Sequence, residues 1–235
     1  MVTRVAMWSG PRNISTAMMR SFGARPGTVV VDEPLYAFYL DRTGLDHPGR
    51  AAILEAQPRD WRDVAASLEA PLPDGVELHY AKHMTHHLLP EVELGWLGAF
   101  RHAYLIRDPA HVVASYAKVR GEPTPDDLGY ARQAEIHAHF GGPVVDAADV
   151  LRDPPRVLAA LCEELGIGFD EAMLSWPPGP AAGDGVWAPY WYSQVESSTG
   201  FAPYDPAPAE VPPRLQPLVS AVQPFYDELW SRRIH

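Results

Sequence analysis

"MWSGPRNISTAMMRSF", residues 7–22, is the stretch on which the fold turns. It follows a short apolar run, breaks at Gly10-Pro11-Arg12-Asn13, and resumes with Ser15 and Thr16 in the first turn of a helical pattern. Two readings fit these residues. In the first, Gly10 and Pro11 make a plain strand-to-helix turn and Asn13 caps the helix. In the second, the turn is an anion cradle: helix N-terminal N–H groups, the cation of Arg12 and the hydroxyls of Ser15 and Thr16 converge on one point. The rest of the chain has to choose between them.

At 235 residues, with 46% hydrophobic and 10% aromatic side chains, the chain has the composition of one α/β domain with a substantial core, spanning 1–235. Its apolar runs are too short to cross a bilayer, and its start lacks the pattern of a secretory signal. One cysteine, Cys162, rules out an internal disulfide and sits at core spacing from Leu158, Leu161 and Leu165. The expectation is a cytoplasmic protein with no membrane partner. A net charge of −11 excludes a general nucleic-acid binder, so an anionic ligand must be held locally. A homodimer is compatible with this composition. The 25 prolines concentrate late, and 176–217 reads as extended segments wrapping the domain.

Strand patterns fall at 2–8, 28–32, 76–82, near 101–107 and in "GPVVDA". Helical patterns fall at 14–23, 50–56, 60–69, 84–89, 109–119 and 124–140, from Asp153 onward, and from Pro213 to Trp230. Short apolar strands alternating with helices predict a parallel sheet with helices on both faces. In such sheets ligands bind beyond the carboxyl ends of the strands. Four strand ends carry polar residues, namely Arg12, Asp32-Glu33, Lys82-His83 and Arg107-Asp108, and this favours the anion cradle.

"PRNISTA" at 11–17 and "IRDPAHVVASY" at 106–116 resemble the two signatures of the P-loop sulfotransferase family, which uses 3′-phosphoadenosine-5′-phosphosulfate. The resemblance extends through "VVVDEPLY" and implies strand order 2-3-1-4-5 in a P-loop NTPase-like sheet of the sulfotransferase type. It implies that Arg12 stands for the family's phosphosulfate-contacting lysine and that Ser15 and Thr16 stand for its two threonines. Asn13 and Ile14 depart from the usual Ser-Gly, with Asn13 kept in the binding loop. It also implies that Arg107 and Ser115 grip the 3′-phosphate. A strand-end arginine and a side chain two turns along can flank one phosphate if the helix starts at once, and Pro109 supplies that start. The implied acceptor is a hydroxyl or amine of a small molecule or glycan.

A nucleotide kinase or triphosphatase of the same fold is the alternative, and "TVVVDE" looks like a magnesium-holding strand end. However, Ile14-Ser15-Thr16 stand where a Walker loop needs Gly-Lys-Ser/Thr. Sulfuryl transfer needs no metal bridge, so no metal is expected. A nucleotide-binding module without chemistry is a third class.

The resemblance implies in-line transfer catalysed by positioning and charge stabilisation. Arg12 and Lys82 are the candidates to offset charge on the leaving phosphate; the plainer role for Lys82 is a solvated strand-end lysine. For the base, the family uses either a histidine after the third strand, whose position here is Met84, or a glutamate after the second. Glu33 aligns without a gap and is the expected base. His86 or His87 is then a partner of Glu33 or an acceptor contact. His83, His86 and His87 lack the carboxylate spacing of a metal site. Trp187 and Tyr192 stack on a ligand or pack in the core, and loops at 36–50 and 186–204 bound the acceptor pocket.

Overall fold

The computed structural model describes residues 2–120 and 122–234, without the Arg120 side chain; Met1, Gly121 and His235, which the expected 1–235 span includes, lie outside the described residues. Strands β1 (Thr3–Ser9), β2 (Thr28–Asp32), β3 (Leu78–Met84), β4 (Arg101–Ile106) and β5 (Val144–Asp146) form one parallel sheet in the order β2-β3-β1-β4-β5. Between and after them run α1 (Ser15–Ala24), α2 (Tyr36–Thr43), α3 (Arg50–Ala56), α4 (Trp61–Glu69), α5 (Pro109–Arg120), α6 (Pro125–Leu128) and α7 (Tyr130–Phe140). The chain continues with α8 (Ala147–Arg152), α9 (Pro154–Glu164), α10 (Ala188–Trp191), α11 (Ser193–Glu196) and α12 (Gln216–Trp230). The α/β class and the strand order are those expected.

The central strand shows why the sheet is covered on both faces. Val5 and Met7 point into one apolar cluster, with Met18 and Phe22 of α1 and Leu158 and Leu161 of α9. Ala6 and Trp8 point into the other, with Val64 of α4, Val113 of α5, Ile136 of α7 and Leu229 of α12. The period of two along a strand sorts alternate side chains between two helical layers. Cys162 is buried in the first layer, as its spacing predicts. Among the described residues no helix is long and apolar enough to cross a membrane.

Several local expectations are corrected. The predicted helix over 84–89 is the end of β3 followed by a 3₁₀ turn, Thr85–His87, so His83 and His87 share no helix face. The predicted 124–140 helix is two, because Gly129 adopts φ 72° and a side chain there would collide with Thr85 Oγ1. Residues 36–43, expected as loop, form α2, whose Tyr36, Ala37, Phe38, Tyr39 and Leu40 are all buried. Helix α8 was not foreseen; Asp146 caps it by accepting from Ala148 N.

Candidate functional site

The loop after β1 brings two non-glycine residues into the left-handed region, Arg12 at φ 57° and Ile14 at φ 40°. Asn13 between them does not, and alternating handedness of this kind turns successive N–H groups toward one concavity. Asn13 does not cap α1. Ile14 occupies the cap position without a side-chain bond, and the buried Asn13 amide donates through Nδ2 to Leu105 O of β4 at 2.7 Å. The first-turn N–H groups of α1, which have no intrahelical acceptor, are therefore left to whatever enters the loop. Ser15 and Thr16 begin α1 beside it.

The loop after β4 docks onto the loop after β1. Arg107 Nη1 donates to Arg12 O at 2.8 Å, and Arg12 Nε donates to Ser115 Oγ of α5 at 3.0 Å. Asp108 caps α5 by accepting from Ala110 N at 2.8 Å. Burial lowers the pKa of both Arg12 and Arg107, which marks two guanidiniums partly stripped of water. Among the described residues neither closes an ion pair with a carboxylate.

The third loop carries Glu33, at φ 38°. Arg12, Ile14 and Glu33 are the non-glycine residues with positive φ among those described, and all three line one cleft of about 1110 Å³ at the carboxyl end of the sheet. Held strain of about 1–3 kcal/mol per residue gathers where surrounding structure imposes it for a purpose. The same cleft is lined by Asn13, Ser15, Thr16, Lys82, His86, Arg107 and Ser115, and not by Trp187. Residues 200–205 and 207–210 also line it.

Lys82 is not solvated. It is 1% exposed, and its three ammonium donors go to Asp32 Oδ1 at 2.8 Å, Glu33 Oε1 at 2.7 Å and Tyr192 OH at 2.8 Å. An ammonium has three protons, so none is left over for a phosphate. Burial works against the charge, but Asp32 and Glu33 more than offset it and keep Lys82 protonated. Burial pushes the Glu33 carboxyl up; Lys82 opposes that shift and Asp32 adds to it. His87 faces the carboxylate, with Nδ1 at 3.8 Å from Glu33 Oε2. Burial holds His87 neutral, and its ring lies between Tyr36 and Tyr39, each stacked at 4.6 Å between centroids. His86 meets the edges of Tyr39 and His87.

A family model described as a sulfotransferase domain matches residues 3–233. The chain belongs to that family. Two solved structures resemble this sulfotransferase domain in fold: the sulfotransferase domain from the curacin biosynthetic pathway (17% identity, 98% of each chain, TM-score 0.58) and a sulfotransferase from Alicyclobacillus acidocaldarius (12% identity, 100% of this chain and 98% of that one, TM-score 0.57). Among curated sequences it is similar to branched-chain-amino-acid aminotransferase-like proteins 1 and 2 of Arabidopsis thaliana, at 36% and 33% identity over 97% of its length. The domain spans 42% and 41% of those relatives.

Sequence reasoning missed the pairing of Lys82 with Asp32 although a signal existed. The two residues are register partners at the ends of β2 and β3, which the strand order makes neighbours. His87 as the Glu33 partner depends on the 3₁₀ turn, and Tyr192 comes from 160 residues away in sequence from Asp32, with no pattern to announce it. Trp187 and Tyr192, 1% and 4% exposed, are packed in the core. Among the described residues no group of three His, Cys, Asp or Glu side chains is arranged to hold a metal ion.

Proposed function

We propose that this sulfotransferase domain moves a sulfuryl group from 3′-phosphoadenosine-5′-phosphosulfate to a hydroxyl or amine of a small-molecule or glycan acceptor. The observation that carries the reading is the pair of partly desolvated arginines, Arg12 and Arg107, that line one cleft and, among the described residues, close no ion pair with a carboxylate. A nucleotide with two separate anionic groups fits two such cations, with Ser15, Thr16 and the N–H groups at the start of α1 adding donors.

The donor supplies the sulfuryl group. Arg12, Thr16 and the loop N–H groups hold its phosphosulfate and offset charge on the leaving phosphate. Arg107 and Ser115 hold the 3′-phosphate. Glu33, which lines the cleft with a carboxyl that burial pushes up and that Lys82 holds through Oε1, takes the proton of the acceptor. Lys82 fixes that carboxylate and acts on the reaction through it. Asp32 counts against a magnesium-dependent triphosphatase. Its Oδ1 accepts from Lys82, and its Oδ2 accepts from Tyr192 at 2.6 Å and Gly185 N at 3.1 Å.

The test is thermal unfolding with adenosine-3′,5′-bisphosphate in the presence of a chelator. At about a hundred times its Kd a ligand adds about 2.7 kcal/mol, which for a chain of this size raises Tm by roughly 5–10 °C. No shift, together with magnesium-dependent ATP hydrolysis, overturns the proposal in favour of a triphosphatase. A shift without transfer to any acceptor reduces it to a binding module.

A further inference from the structure

The cluster beneath Glu33 is larger than a salt bridge. Tyr192 OH accepts from Lys82 Nζ at 2.8 Å and from Trp187 Nε1 at 3.1 Å, and donates to Asp32 Oδ2 at 2.6 Å. The phenol therefore uses its one proton and both lone pairs, and burial raises its pKa well above the ordinary value, so it stays a donor. Asp32 also accepts from Gly185 N at 3.1 Å, so the segment from 185 to 192 is bonded at both ends to the tip of β2. Packing alone does not need this arrangement, because a phenylalanine at 192 would fill the same volume. What the hydroxyl adds is a fixed division of Lys82 between two carboxylates.

We propose that Tyr192 is a positioning residue for Glu33: by satisfying Asp32 from the far side, its hydroxyl releases Lys82 to hold Glu33 toward the cleft. This rests on Glu33 being the base. The groups that face Glu33 are Lys82 on β3, Asp32 on β2 and His87 in the turn after β3, with Tyr192 one bond further out through Lys82. Without the hydroxyl, Asp32 loses its neutral side-chain donor and draws Lys82 to itself, so Glu33 is held less firmly and protonates at higher pH. Neutralising Asp32 does the reverse, since Lys82 then belongs to Glu33 alone.

The experiment is a pH titration of the Glu33 carboxyl by NMR in protein labelled with ¹³C at the glutamate carboxyl, the resonance assigned by its disappearance in Glu33→Gln. It needs neither nucleotide nor acceptor. Tyr192→Phe keeps the ring and should move the Glu33 midpoint up; Asp32→Asn keeps the shape and should move it down. Opposite signs are the expected result, and a merely structural tyrosine would lower Tm without splitting the midpoints. Midpoints that stay with the wild type, or move together, overturn the proposal, and if Tyr192→Phe does not fold, a midpoint in Asp32→Asn that fails to fall overturns it alone. Split midpoints with no adenosine-3′,5′-bisphosphate binding would leave the network standing and remove the sulfuryl-transfer reading. Binding with unmoved midpoints would do the converse.

Discussion

The guanidinium of Arg107 donates to the backbone carbonyl of Arg12 across a 2.8 Å bond that joins the loop after β4 to the loop after β1. The two stretches of sequence that carry the family resemblance are thus one structural unit. A change in either cation is felt at the other, since Arg12 in turn holds Ser115.

Arg107→Ala should therefore do two things. Calorimetric titration should show the preference for adenosine-3′,5′-bisphosphate over adenosine-5′-monophosphate disappear, at a cost of about 2–4 kcal/mol for a charged hydrogen-bonded pair. Arg12 would also lose the bond that braces its positive φ, so affinity for the monophosphate should fall too, by a smaller amount. An unchanged preference would separate Arg107 from the 3′-phosphate.

Glu33→Gln keeps the shape of the side chain and removes its basicity. Turnover should drop by about 10²–10⁴, with nucleotide affinity nearly intact. His86→Ala, which removes ring contacts with Tyr39 and His87, should cost less. A dead His86 variant beside an active Glu33→Gln would move the base to the histidine turn.

Gly10→Ala tests the loop's dependence on close backbone approach. A Cβ at position 10 would lie 2.5 Å from Leu128 O, which is backbone and cannot swing away. Overpacking of this sort costs about 1–3 kcal/mol, and because Leu128 ends α6 against the loop, both the urea midpoint and nucleotide affinity should fall together. A variant as stable as the wild type would show that α6 can retreat.

Acid stability should report the histidines under the sheet. Trp8 Nε1 donates to His102 Nδ1 at 3.0 Å, so Nδ1 is an acceptor, and Nε2 carries the proton facing Leu97 O at 3.0 Å. Burial lowers His102 to about 4, and lowers His83, stacked on Trp8 at 4.4 Å, to about 3. Below the usual 6.5 the unfolded chain binds protons that the folded chain refuses. This contribution is complete above pH 6.5 and falls as pH drops toward those values, by about 1.4 kcal/mol per pH unit for each histidine. Urea unfolding at pH 7, 6 and 5 should give a steeper loss for the wild type than for His102→Gln; equal slopes would mean that His102 takes up its proton over the same pH range in the folded and unfolded chains.

Much of this site was legible because it hangs on strand ends. A parallel sheet carries its functional loops at one edge, so Arg12, Glu33, Lys82 and Arg107 were placed together by counting strands alone, and the resemblance supplied the order that makes β1 central. Helix α2 was harder to see. Its apolar residues are buried by α3 and the 3₁₀ turn, contacts that local periodicity over eight residues does not announce.

What the sequence by itself determined is what short range decides: alternating strands and helices, a polar residue at each of four strand ends, and a Gly-Pro break between β1 and the helix after it. What only the tertiary structure decided is how those polar groups divide among themselves. Lys82 reads as a solvated cation until β2 and β3 lie side by side and Tyr192 arrives from the far end of the chain, at which point its three protons are all taken. Arg12 and Arg107 read alike as strand-end cations, yet among the described residues neither closes an ion pair with a carboxylate: Arg107 donates to Arg12 O and Arg12 to Ser115 Oγ. The physical reason is that a charge is defined by the partners burial brings to it, and those partners come from residues too distant in sequence for any local pattern to specify.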